Sequence, residues 1–262
     1  MTTALRLTTP AKGGGLRGAI AFEWTKLWSV RSTWWSLAAG VLLCAVFAAV
    51  IGMSVEASEK NGFDVARPAP HLAAQGIMLV QLAVLVMATL ATTAEYANGS
   101  IRATLRGVPV RGRMLLAKTA VVAAVAAAAG TVFCVLGTLV TAVFAGEHGA
   151  YTAGELAAAA FGTGVYLALI AVLVIGTGTV FRSAAGTITT IIMVLLVLPE
   201  LVKVTGVGWL ETAGEYTPSV AGAVLMTRAG EPYGGGTALP VLLLWAAAAV
   251  AGGWAALRAR DA

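Results

Sequence analysis

Histidine and cysteine are nearly absent from this sequence, with two of each in 262 residues. Cys44 and Cys134 fall inside long apolar runs, where a thiol behaves as a small hydrophobe, so neither a disulfide framework nor a cysteine-based metal site is expected. His71 and His148 lie at the edges of such runs and no G-x-S-x-G occurs, which removes the nucleophile–histidine pairing of an intramembrane protease. Charge is scarce as well. Only 11% of residues are charged and 59% are hydrophobic, where an ordinary soluble domain has about 25% and about 45–50%. With a mean hydropathy of +0.87, these values exclude the usual soluble classes and place the chain in a membrane.

What is abundant is uninterrupted apolar sequence. About 20 such residues cross the hydrocarbon core, and runs of that length occur at 34–55, 72–94, 114–145, 155–181, 184–203 and 239–257. The expected fold is therefore all-α and polytopic, with six transmembrane helices. The third run exceeds one crossing, so it is expected to tilt, to kink near Gly130 or Gly137, or to begin outside the hydrocarbon. Residues 1–16 are polar, lack the pattern of a secretory signal and read as a flexible cytosolic tail, and residues 258–262 as a cytosolic tail. Glycine-rich runs such as "FGTGVY" and "GTGTVF" lie in spans and lack the lysine of a phosphate-binding loop, so they predict close helix packing. No catalytic, cofactor-binding or metal residue is expected, and the chain does not read as an enzyme.

An even number of spans puts both termini on one side, and cations mark the cytosolic side. With cytosolic termini, the inner segments hold thirteen of the seventeen Lys and Arg and three of the twelve acids, a net of +10, leaving −5 outside. The basic pI thus reports topology and calls for no nucleic-acid partner.

Before the first span, residues 17–33 form an expected interfacial elbow helix. Ile20, Trp24, Leu27 and Trp28 recur at helical spacing, with Thr25, Lys26 and Ser29 opposite. Glu23 and Lys26 are spaced to pair, and Arg31 can reach lipid phosphate.

Between the second and third runs comes "TTAEYANGSIRATLRG". Each central Arg or Asp opposes insertion by about 2.5–3.5 kcal/mol and each Leu or Ile returns about 0.3–0.6, so residues 95–107 sit outside the hydrocarbon. Asn98-Gly99 stops the second span, Ser100 can cap the next helix, and Gly107 and Pro109 end it. In that helix Ile101 and Leu105 share one face, Arg102 and Arg106 another. A helix so short needs a surface to lie on, either the anionic inner leaflet or a groove on a protein partner.

The stretches "FEWTKLWSVRS" and "AEYANGSIRATLRGVPVRGRMLLAK" resemble the permease subunits of type-2 ATP-binding-cassette (ABC) exporters, in particular the short six-span permeases of high-GC bacteria. Glu95, Tyr96, Gly99, Ile101 and Arg102 match the E-Y-x-x-G-x-[IL]-R pattern of that family, with Ser100 where Thr is frequent. The resemblance extends over essentially the whole chain. It implies that residues 95–107 are a coupling helix inserted in a cleft of a separate ATPase subunit. Glu95 and Arg102 would face that partner, Ile101 and Leu105 would anchor, Gly99 would be the hinge, and Tyr96, Ser100 and Arg106 would complete the coupling set. It further implies two ATPase copies that bind ATP and Mg, a second permease copy as a homodimer or related heterodimer, and a bacterial plasma membrane location.

Arg182-Ser183 is the whole connection between the fourth and fifth runs, a tight hairpin facing the cytosol. In the outer loop, 204–238, Thr217-Pro218-Ser219 reads as a helix start and Gly230 as its stop, giving a short helix over 218–229. Pro218 and Ser219 there, with Glu200 at the outer end of the fifth span, are candidates for an outer gate; a solvated loop and an interface marker are the plainer readings. The rival classes are an ion-coupled secondary transporter, which would want charges at midspan and an internal repeat, and a membrane scaffold subunit without transport.

Overall fold

The computed structural model describes residues 15–101, 104, 110–228 and 230–259. Among them there is no strand. Helix α1 spans Gly15–Ser29, α2 Arg31–Lys60, α3 Ala69–Ala97 and α4 Arg111–Ala145, the last extended by a 3₁₀ turn, Gly146–Gly149. Then come α5 Ala153–Phe181, α6 Ala184–Val204, α7 Gly208–Glu215, α8 Pro218–Thr227 and α9 Gly235–Ala259. Six of these, α2 to α6 and α9, are long and apolar enough to span a bilayer. The chain is an all-α, polytopic membrane protein.

The two central helices are α3 and α5, with 61% and 67% of their most apolar stretches buried, against 22–28% in α2, α6 and α9. Small residues let them approach. Helix α4 runs unbroken through Gly130 and Gly137, which serve as contact points: a Cβ on Gly130 would lie 2.8 Å from the Thr163 carbonyl oxygen of α5.

Sequence spacing missed two details here. The elbow helix ends at Ser29 and Val30 is extended, so Arg31 opens α2 and does not belong to the elbow. That break is held because Thr33 Oγ1 donates to Leu27 O (2.7 Å) and Trp34 Nε1 to Trp28 O (3.2 Å), satisfying two carbonyls at the end of α1. Within α6, Met193–Val197 forms a π-helical turn. Pro199 has no N–H for the carbonyl four residues before it, and the Leu198 N–H slips back to Met193 O.

The outer segment differs most from expectation. It contains two helices, and α8 is packed on α5 and α9 with Pro218, Ser219, Ala221, Gly222, Val224 and Met226 buried, which corrects the solvated-loop reading. Pro218 opens α8, but the Thr217 hydroxyl turns back to Gly214 O (2.8 Å) and does not cap it. The helix stops at Arg228, in a left-handed conformation (φ 53°), before Gly230. Glu200 is exposed and paired with Lys203 (2.8 Å), whereas Pro218 and Ser219 are buried.

Contacts between chain-distant residues gather the basic segments at one end. The Arg111 guanidinium donates to Leu257 O near the end of α9. Arg182, left-handed at the tip of the α5–α6 hairpin, stacks its guanidinium 5.2 Å from the Tyr96 ring at the end of α3. The N-terminal helix, the α3–α4 connection, that hairpin and the end of α9 therefore share one end of the bundle.

Candidate functional site

At this end α1 lies along α4, its long axis beside the start of the third span. Its hidden face is Ala19, Glu23 and Leu27, spaced i, i+4, i+8, while Ile20, Phe22 and Trp24 are exposed. An acid thus points into the protein. Trp24 and Trp28 meet edge to face at 5.7 Å, and Trp28 also contacts Trp34 at 4.9 Å, forming an aromatic belt around the elbow.

Glu23 meets charges from two other helices. Lys118, one full turn and more into α4 and 3% exposed, places Nζ 2.8 Å from Glu23 Oε2. The same ammonium donates to Glu95 Oε1 of α3 and to Ala91 O (3.1 Å), so all three of its protons are used. Lys26 closes the ring, donating to Glu95 Oε1 and lying 3.5 Å from Glu23 Oε2. Two acids and two ammonium groups from α1, α3 and α4 form one neutral cluster. An unpaired charge at such depth would be costly, and cancellation within the cluster is what lets these helices close together.

Lys26 is the most accessible member, its side chain 25% exposed. Burial, and next the neighbouring Lys118 ammonium, hold its pKa below the ordinary lysine range against the attraction of Glu23 and Glu95. The outer oxygens, Glu23 Oε1 and Glu95 Oε2, are buried and accept no hydrogen bond.

Glu95 and Tyr96 belong to the last turn of α3, so the second helix continues to Ala97. The chain then turns at Gly99, whose φ of +71° favours a residue without Cβ, and Asn98 Oδ1 accepts the Ser100 N–H (3.0 Å) in an Asx turn. Helical backbone resumes at Ile101, with the Thr104 N–H bonded to Ser100 O (3.0 Å). Arg102, Leu105 and Arg106 lie outside the described residues.

Two expectations are corrected by this geometry. Glu95 does not face outward to a partner: it is 2% exposed and turned toward Lys118, whose ammonium it shares with Glu23. Ile101, 5% exposed, packs on the chain's own core and is not a free anchor. Lys118 was the missing member. In sequence it reads as one more inner cation near the start of an apolar run, and the signal that could have singled it out is its position inside that run's helical register.

A bundle of six spanning helices with a lateral helix and an ionic joint at one end defines a multi-pass membrane protein whose polar machinery is concentrated on one face. The chain belongs to the ABC-2 family transporter proteins, whose profile matches residues 19–200. It is thus a membrane permease component of an ABC transporter, a transport component and not itself a catalyst. Among curated proteins none matches the sequence. The matched span runs from α1 into α6 and contains the whole ionic cluster; α7, α8 and α9 lie beyond it.

Proposed function

We propose that this chain forms half of the pathway of an exporter, and that the Glu23–Lys118–Glu95–Lys26 cluster transmits motion from an ATPase subunit to the spans. The observation that carries this reading is the cluster itself. It ties the elbow, the end of the second span and the start of the third into one unit, directly beside the Gly99 turn. Buried ion pairs contribute little net stability, but they fix geometry, since any slip exposes an uncompensated charge. A push on the segment after Gly99 therefore moves three helices together.

In this proposal two ATPase subunits bind ATP and Mg, each docking on residues 95–107 of one of two permease copies, identical or related. Their closure switches the spans between inward-open and outward-open packing. The termini are cytosolic in a bacterial plasma membrane. Export and an apolar or amphipathic cargo follow from the family resemblance and the Ala, Val, Leu, Thr and Gly lining of the spans. Ion coupling is less favoured: the buried charges sit at one end, and the buried polar pair within the central helices, Gln81 and Tyr166, is neutral.

The test is co-expression with a candidate ABC ATPase subunit from the same genome. The two proteins are expected to purify together, and Glu95→Gln is expected to keep the complex assembled while lowering transport-coupled ATP hydrolysis. Full coupled hydrolysis in that variant, or a permease that transports without any ATPase, refutes the proposal.

A further inference from the structure

A groove of about 330 Å³ lies on the flank of the bundle between α1, α2 and α4. Trp24 and Trp28 line it from α1, Leu37 and Val41 from α2, and α4 supplies the remaining wall between Ala124 and Phe133. Among the described residues that line it, the two indole nitrogens are the only polar side-chain atoms, so water has nothing to hold it there. Phe133 at the back is 1% exposed, whereas Trp24, Val41 and Val132 are exposed; the groove is closed toward the core and open toward the bilayer.

Its depth follows from the packing of α2 on α4. A Cβ on Gly40 would meet the Phe133 ring and one on Gly52 the Phe144 Cβ, so the two helices run side by side in one direction. Carried back along α2, that register sets Arg31 level with Ala124, at the shallow end of the groove. From Ala124 to Phe133 a helix rises about 14 Å. One leaflet contributes about 15 Å of hydrocarbon, so the groove runs from the headgroup level through most of a leaflet.

Size and charge together select the occupant. An empty groove would forfeit dispersion contacts along its whole lining, so hydrocarbon has to fill it. A helix with its side chains is about 10–12 Å across, and such a length of it needs more than roughly 1,000 Å³, which this groove does not offer; a single extended chain fits. At this end the two described acids, Glu23 and Glu95, are buried in the ionic cluster, while Arg17, Arg31 and Arg113 are exposed. The charge that the described residues present to headgroups here is therefore positive, which favours an anionic lipid.

We propose that this groove holds one acyl chain of an anionic phospholipid from the leaflet beside α1, with the phosphate at Arg31. The lipid touches the elbow and the first and third spans together, and its headgroup charge sets how firmly the elbow is seated. The site depends on the chain lying in a bilayer and not on export or on an ATPase.

Two photoactivatable lipids with the same diazirine-bearing acyl chain test this, one a phosphatidylglycerol and the other a phosphatidylcholine. Each is added at the same low fraction to phosphatidylcholine nanodiscs holding the full chain, and the crosslinks are mapped by peptide mass spectrometry. Phosphatidylglycerol is expected to label 124–133 about fivefold more than phosphatidylcholine does, the ratio for one arginine at an anionic headgroup. It is also expected to label 124–133 more than the exposed Leu243 and Leu244 of α9, an ordinary lipid contact. Arg31→Gln is expected to equalise the two lipids. Ala128→Phe, at an exposed position on the groove wall, is expected to reduce labelling of 124–133 to the level of α9, whose own unchanged labelling reports that the chain is folded. Equal labelling of wild-type 124–133 by the two lipids overturns the proposal, as does labelling no stronger than that of α9, which is bulk lipid alone. Absence of labelling at 124–133, the result if a second copy or another protein covers the groove, overturns it too, and so does a preference that survives either substitution.

Discussion

Lys118 Nζ lies 2.8 Å from Glu23 Oε2 although 95 positions separate them, so the elbow helix is fastened to the third span by a buried ion pair. The link spans the boundary between a helix lying on the membrane and one crossing it. Lipid could hold α1 through its tryptophans alone, but the ionic contact, with Ala19 and Leu27 buried on the same face, fixes its rotation and its position along α4. The same ammonium reaches Glu95, so the elbow and the end of α3 share one cation and are positioned relative to each other through it.

Removing that shared cation should be the most damaging single change at this end. Lys118→Met leaves Glu23 and Glu95 facing each other with only Lys26 between them, and loss of one partner of a buried pair costs about 3–5 kcal/mol. Thermal unfolding in detergent is expected to show that loss, and adding Glu95→Gln to the variant is expected to recover part of it, since the second change removes an uncompensated charge. A loss below about 1 kcal/mol would mean that water reaches the cluster.

The turn between the second span and the following helix depends on a backbone that side chains resist. Gly99 has φ +71° and open space around its Cβ position, so substitution there is penalised by conformation and not by contact. Gly99→Val should cost about 1–2 kcal/mol or more through the left-handed backbone, while Gly99→Asn should cost much less. If the turn orients the coupling segment, coupled ATP hydrolysis should fall in the order Gly, Asn, Val. Equal activity in all three would separate this turn from coupling.

The span count, the lateral helix and the break near Gly99 were legible in the sequence because each is a local property: apolar length, tryptophan content, a turn dipeptide. The inward rotation of Glu23 and Glu95 was not. On composition both acids belong to short polar segments, and their orientation is decided by Lys118, a residue contributed by a different helix. The outer helix α8 shows the same limit. Pro218 gives its start, but its burial depends on Gly222 packing against the Tyr166 ring of α5, a contact that no local pattern announces.

That ring takes part in a polar pair within the two central helices. Tyr166 OH donates to Gln81 Oε1 at 2.5 Å, the Gln81 amide donates to Met78 O at 2.7 Å, and both side chains are fully buried. Tyr166→Phe strands the Gln81 oxygen among apolar neighbours and should destabilise by about 1–2 kcal/mol. The double variant Tyr166→Phe, Gln81→Leu should recover most of that, because neither acceptor nor donor is then left unpaired. Without such recovery in the unfolding midpoint, the hydrogen bond would not be the source of the effect.

Ser100 offers a direct measure of which side this end occupies and what covers it. It is half-buried on the turn after Gly99, and the residues that follow are the proposed ATPase contact. The basic segments gathered at this end by Arg111–Leu257 and Arg182–Tyr96 place it in the cytosol if cations stay inside. In a chain with Cys44 and Cys134 replaced by Ala, Ser100→Cys should react with a membrane-impermeant maleimide in inverted vesicles and not in intact cells. Co-expression of the ATPase should slow that reaction several-fold, whereas docking on bilayer alone would leave the rate unchanged by the partner. Labelling in intact cells would reverse the topology, and with it the side from which nucleotide-driven force could act.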